Sequence, residues 1–248
     1  MTTKKTIVTA LLVLITLSIP LSLYSQSQDF EMFGTVLIKY RGNAENVTIP
    51  EGVTSIGSVG IISHSGYDAF RGCTSLTSVT IPSSVTSIGE NAFRGCTSLT
   101  SIIIPSSVTT IGYNAFNGCT NLTSITIPSS VTSIGRYAFH NTAWLNSQPD
   151  GFVYAGKVLY TFKGTQPTVI NNIRNDTIAI ADGAFSVIVE GALSTVARLT
   201  SITIPSSVTS IGNEAFYLCS SLTRVTVPRR TRIGSNAFPS RARITYSD

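Results

Sequence analysis

Four cysteines are the first residues whose type and spacing invite chemistry. Cys73, Cys96 and Cys119 stand 23 residues apart, and Cys219 keeps their place, three residues after a phenylalanine. In an exported protein a pair of them could close a disulfide. A metal needs ligands converging on one point, whereas a fixed interval in a stacked repeat lays side chains in a column. The expectation is buried thiols packed as small apolar residues, with a single bridge as the alternative. His64 and His140 are the only histidines, and neither is spaced with a nucleophile and a carboxylate as a triad requires. The 12 acidic residues lie singly, without a His-Glu-x-x-His or Asp-x-Asp cluster. Gly57, Gly89, Gly112 and Gly135 recur as turn residues and form no phosphate loop. We therefore expect no enzyme, and neither a metal nor a cofactor site.

The cysteine interval is shared by the rest of the chain. Pro82, Pro105 and Pro128 are spaced by 23, as are Phe70, Phe93, Phe116 and Phe139. A period of that length marks a repeat architecture, in which each unit contacts mainly its neighbours. Within one unit Leu76, Val79 and Ile81 give the alternating Leu-x-x-Val-x-Ile strand of a leucine-rich repeat. Pro82 has no N–H for a ladder and ends that strand. Val85 and Ile88 predict a second short extended piece, Gly89 a turn, and Asn91-Ala92-Phe93 a single 3₁₀-like turn that presses the ring inward.

The fold expected is a repeat solenoid, a right-handed leucine-rich-repeat coil of short parallel strands joined by 3₁₀ or short helical turns. About seven units fill 47–248, interrupted at 58–66, 141–165 and 186–197. An N-terminal β cap is expected over 26–46, where GTVLIKYRG runs from Gly34 to Gly42. Its near copy GKVLYTFKG, from Gly156 to Gly164, predicts a β-hairpin-like insert. Both read as β segments outside the 23-residue coil.

Charged residues are only 12% of the chain, and Ser and Thr carry the surface polarity, while 42% is hydrophobic and periodic. That pattern excludes disorder. The formal charge is +5. Lys4 and Lys5 precede an apolar run from Ile7 to Leu23, and 1–25 reads as a signal peptide cleaved after Ser25 or Ser27. Removing the two lysines leaves 17 − 2 = 15 basic against 12 acidic side chains, or +3, which argues for no nucleic-acid partner. The expected location is secreted or cell-surface, with membrane contact only through the signal segment. Arg224, Arg229, Arg230, Arg232, Arg241 and Arg243 crowd the C-terminal region. They read as a solvated polar end, or as a surface for acidic polymers or membranes.

With no chemistry to place, the surface carries the function. Thr77, Thr80, Thr100, Ile103, Thr123 and Thr126 are expected to face outward in columns. The columns resume as Thr200, Thr203, Thr223, Arg224 and Thr226. Threonine is simply a good strand former at any single position, but solenoids bind along extended faces. The second candidate is the insert, where Tyr137, His140, Trp144 and Tyr154 gather aromatic side chains of the kind that anchor interfaces. The alternative there is that Trp144 and Phe152 cover an edge exposed by the interruption.

The unit LTSITIPSSVTSIG, present at Leu122 to Gly135 and again at Leu199 to Gly212, resembles the BspA-type leucine-rich repeat family. The resemblance runs from Val47 to about Phe238 and also takes in the insert sequence from Asn141 to Tyr160. It implies a secreted or surface-displayed protein of a host-associated microbe. It further implies an adhesin for host matrix, plasma or bacterial surface proteins. The other expectation is a structural, self-associating surface module without a host ligand. The family has no catalytic motif to carry over.

Overall fold

The computed structural model describes residues 28–57, 68–186 and 198–248. The signal segment expected over 1–25, the interruption at 58–66 with His64, and the interruption from residue 187 onward lie outside the described residues.

Each repeat contributes two short strands, and the strands stack in two columns. The first column follows the Leu-x-x-Val-x-Ile segment. It contains β3 (Asn46–Thr48), β5 (Ser78–Thr80), β7 (Ser101–Ile103) and β9 (Ser124–Thr126). It resumes with β13 (Val169–Ile170), β15 (Ser201–Thr203), β17 (Arg224–Pro228) and β19 (Arg243–Ser247). The second column follows the Thr-Ser-Ile-Gly segment. Its repeat strands are β4 (Ser55–Ile56), β6 (Ser87–Ile88), β8 (Thr110–Ile111) and β10 (Ser133–Ile134). They continue with β14 (Ala179–Ile180), β16 (Ser210–Ile211) and β18 (Arg232–Ile233). All repeat strands pair in parallel, and equivalent residues face each other, as in Ser87↔Thr110 and Ile88↔Ile111. The single short helix is α1 (Ala143–Asn146) among the described residues.

The unit's letters each have a structural use. Val85, Ile88, Ala92, Phe93 and Leu99 are fully buried, and their equivalents repeat through the stack. Phe70, Phe93, Phe116 and Phe139 stack nearly parallel, with centroids 5.0, 5.2 and 5.6 Å apart. The second serine of each Pro-Ser-Ser donates its hydroxyl to the preceding coil: Ser84 to Val53, Ser107 to Val85 and Ser130 to Val108. Gly112 permits close approach, because a Cβ there would lie 2.6 Å from the carbonyl carbon of Gly89. The Asn-Ala-Phe segment is a run of i→i+3 bonds, Arg94 to Asn91 and Cys96 to Phe93, and not a helix.

The two near-copy segments are layers of the stack. β1 (Phe30–Phe33) and β2 (Val36–Tyr40) form an antiparallel hairpin, and β2 then pairs in parallel with β4 through Val36↔Ser55 and Leu37↔Ile56. β11 (Gly151–Ala155) and β12 (Val158–Lys163) repeat this, with Val158↔Ala179 and Leu159↔Ile180 on β14. Both hairpins carry a register shift in their first strand. Each heads an aromatic column: Tyr40 meets Phe70 at 5.1 Å, and Phe162 meets Phe185 at 6.1 Å. The first hairpin thus caps the N-terminal edge of the sheet, as expected, but β2 and β12 each pair with a repeat strand, so neither segment stands outside the coil. Backbone pairing lets a hairpin strand replace a repeat strand without sharing its side chains. The insert is a second cap, and it divides the solenoid into two arrays.

Candidate binding surfaces

The first column presents the predicted face. Thr80, Ile103, Thr126 and Thr203 are exposed at its third position, and Ile103 pairs with Thr126 in register. Ile103 leaves 72% of its surface open. Thr226, next in this line, is half-buried. Arg224 is exposed and stands directly beside Arg243. The row just before the strands behaves differently. Thr77 and Thr200 donate their hydroxyls to Glu45 and Thr168 carbonyls at 2.9 Å, and Thr123 and Thr223 donate to Thr100 and Thr200 at 3.3 Å. Those hydroxyls stitch one coil to the next. Thr100 is exposed.

The four aromatic candidates of the insert region are not brought together. Thr142 caps α1 by accepting the Leu145 N–H, which sets Trp144 edge-on against Phe139 at 5.1 Å. Lys163 Nζ donates to the carbonyls of Leu145, Asn146 and Gln148 and ties α1 to β12. Trp144 thus covers the end of the phenylalanine stack. Tyr154 lies under the Arg174 guanidinium at 4.4 Å, and its hydroxyl accepts the Arg174 N–H. Tyr137 and His140 sit together on the turn face, 5.4 Å apart, with Tyr113 at 6.0 Å from Tyr137. Sequence reading missed Tyr113, although it lies one period from the Arg136 position and is 43% exposed.

The join between the arrays concentrates the polar interactions. Arg136 donates to Glu214 Oε2 and to the Ser186 carbonyl, each at 3.0 Å. It fills the space beside Gly183, where a Cβ would sit 2.8 Å from Arg136 Cδ. Asp182 accepts the Asn213 N–H at 2.7 Å, and its burial pushes the carboxyl above the usual range. Arg136 crosses the join, and the Asp182 N–H donates across it to the Ile134 carbonyl at 3.0 Å.

The four cysteines are free. Cys96 and Cys119 donate their thiols to the Phe70 and Phe93 carbonyls one coil back, at 3.1 and 3.0 Å. Burial raises the Cys219 thiol to about 12, which removes the thiolate needed for nucleophilic or ligand chemistry. Among the described residues no His, Cys, Asp and Glu group has the arrangement of a metal site. No helix among them is long and apolar enough to cross a membrane.

The chain is similar to several solved leucine-rich repeat proteins. A leucine rich cell surface protein from Faecalibacterium prausnitzii is 32% identical, over 85% of this chain and 50% of its own, with a TM-score of 0.43. The chain thus spans half the length of that relative. A leucine-rich repeat protein from Bacteroides ovatus is 25% identical, over 86% of this chain and 66% of its own, with a TM-score of 0.39. The leucine rich repeat protein of T. pallidum is 23% identical over 88% and 84%, at 0.36. No curated protein matches the chain. The family described as the BspA type leucine rich repeat region matches in six copies over residues 31–149 and 159–247, and the break between them falls on the second hairpin. The chain belongs to the BspA-type leucine-rich repeat family.

Proposed function

We propose that this is an exported, surface-associated binding protein whose first-column strand face docks a protein ligand, as an adhesin does. The observation that carries this reading is Ile103, 72% exposed on the in-register strand face of the first array, whose strand positions carry no charged residue. Solenoids use such rigid extended faces because many weak contacts add without ordering a loop. The named similarity to a bacterial cell surface protein supports the location. Plasma and matrix proteins immobilised in an array, probed with the purified chain, test the reading. Binding that is lost when Thr100, Ile103 and Thr126 become lysine supports it. Binding unchanged by these substitutions moves the site elsewhere.

A second reading is favoured by one observation. β19 is hydrogen-bonded on one side only among the described residues, and its Ile244 and Tyr246 are exposed. Strand addition there would join copies of the chain into a surface assembly. Light scattering against concentration separates the readings: a growing mass supports assembly, and a constant monomer mass excludes it.

A further inference from the structure

We infer that the C-terminal end of the solenoid is an interface for the N-terminal end of a second copy of this chain, so that copies stack head to tail. The inference rests on the assembly reading above and names its partner surface. β19 opens a coil that has no second-column strand among the described residues. Its Ile244 and Tyr246 stand in register with Val225 and Val227 of β17, which are buried, yet they are 36% and 48% exposed. In the other column Ile233 of β18 is exposed, although its partner in register, Ile211, is buried. These are core positions of the repeat without a next coil to cover them.

Backbone alternation fixes how such a coil adds. The Arg243 N–H donates to the Thr223 carbonyl, and the Ser247 carbonyl accepts the Arg229 N–H. Successive residues of a strand turn their groups to opposite sides, so those of Ile244 and Tyr246 point to the free edge. At the other end of the chain β3 is paired with β5 alone. The Glu45 carbonyl accepts the Thr77 N–H and the Ile49 N–H donates to Thr80, which leaves the groups of Asn46 and Thr48 on the outer side. Val225 faces Ile244 and Val47 faces Val79 within the chain. Setting Ile244 opposite Val47 continues that line and matches the two free edges in one parallel ladder.

Charge decides which end of the second copy fits. Residues 224–248 hold six arginines against Asp248, or 6 − 1 = +5. Residues 28–52 hold Lys39 and Arg41 against Asp29, Glu31, Glu45 and Glu51, or 2 − 4 = −2. Two C-terminal ends would set arginine against arginine, whereas the acidic end brings Glu45 beside Arg243. The chain already makes one contact of this kind. Its second array, headed by the β11–β12 hairpin, sits on the last coil of the first, where Tyr160 meets Phe139 at 5.1 Å. The first array is headed by the near-copy hairpin β1–β2, and no hairpin covers β18 and β19 among the described residues.

The test is light scattering and sedimentation of the full chain, purified after export, beside two double variants. Ile244→Lys with Tyr246→Lys places charges that an incoming copy would have to bury. Glu45→Lys with Glu51→Lys makes the N-terminal end basic. All four residues are exposed, so both variants should melt with the wild type. Expected is a wild-type mass that climbs with concentration and does not stop at a dimer, with weaker growth at high salt. Each variant alone should associate at least about tenfold more weakly. Their equimolar mixture keeps one intact end of each kind, and should form pairs and stop there. A wild type that stays monomeric overturns both this inference and the assembly reading, and its cosedimentation with anionic phospholipid vesicles would then give the basic end to a lipid surface. Self-pairing of the Glu45→Lys, Glu51→Lys variant as strong as the wild type's overturns head-to-tail stacking alone, because it assigns β19 to a symmetric contact.

Discussion

The hydroxyl of Tyr160 accepts the backbone N–H of Phe139 at 3.0 Å. Elsewhere in the stack that N–H goes to the alanine carbonyl of the next coil, as Phe93 to Ala115 and Phe116 to Ala138. The second hairpin supplies no such carbonyl, and a side chain stands in for it. Tyr160→Phe keeps the ring, which meets Phe139 edge-on at 5.1 Å, but strands a buried donor. A loss of about 1–3 kcal/mol in chemical denaturation is expected. Burial holds the phenol above its ordinary value, so it stays neutral and the loss should be the same from pH 5 to 9.

Gly183 and Arg136 make another cross-join contact. Gly183→Ala combines φ +61° with a Cβ 2.8 Å from Arg136 Cδ, and should cost about 1–3 kcal/mol. Adding Arg136→Ala relieves the overlap but not the backbone strain. Because Arg136→Ala by itself removes the bonds to Glu214 and the Ser186 carbonyl, the reading is a double-mutant cycle by circular dichroism: the cost of Gly183→Ala should be smaller in the Arg136→Ala background than in the wild type, and should not vanish.

Asp182 gives the join a pH dependence. Its carboxyl is raised by burial, so the folded chain keeps a proton that the unfolded chain releases. That contribution to stability is complete below the ordinary carboxylate value near 4 and is lost as pH rises through the raised one. Asp182→Asn retains an oxygen for the Asn213 N–H and has no charge to bury. Its melting temperature should equal or exceed the wild type at pH 7, and the two should converge near pH 3.5. A variant that is less stable at pH 7 by the same margin as at pH 3.5 contradicts this.

Arg224 and Arg243 stand opposite each other on β17 and β19, both exposed. Earlier coils place Ser78, Ser101, Ser124 and Ser201 at the Arg224 position. Arg224→Ser should stabilise the chain by a few tenths of a kcal/mol, up to about 1 kcal/mol. The gain should shrink in 0.5 M NaCl, as thermal melts at two salt concentrations would show.

The stack was legible because its determinants are periodic side chains. Phe93, Val85 and Leu99 recur at one interval and bury one core, so a single unit implies the others. The pairing of the second hairpin with the repeat ladder was not legible. Val158 and Leu159 join the ladder through backbone groups, and backbone pairing leaves no periodic mark in the sequence. The aromatic candidates are neighbours in sequence, yet α1 turns Trp144 onto Phe139 while Tyr137 stays on the turn face. Tyr113 escaped notice for the opposite reason, since it belongs to an uninterrupted coil and meets Tyr137 only through stacking. The threonines before the strands looked like the ones within them, and only the hydrogen bonds separate structural hydroxyls from free ones.

The most direct test of the strand-face account is surface plasmon resonance of the full chain over immobilised plasma and matrix proteins, comparing wild type with Ile103→Lys. The account predicts saturable binding to at least one of them and at least a tenfold weaker Kd for the variant, with an unchanged melting temperature. Equal affinity of the two proteins, or no binding by the wild type to any of them, would contradict it.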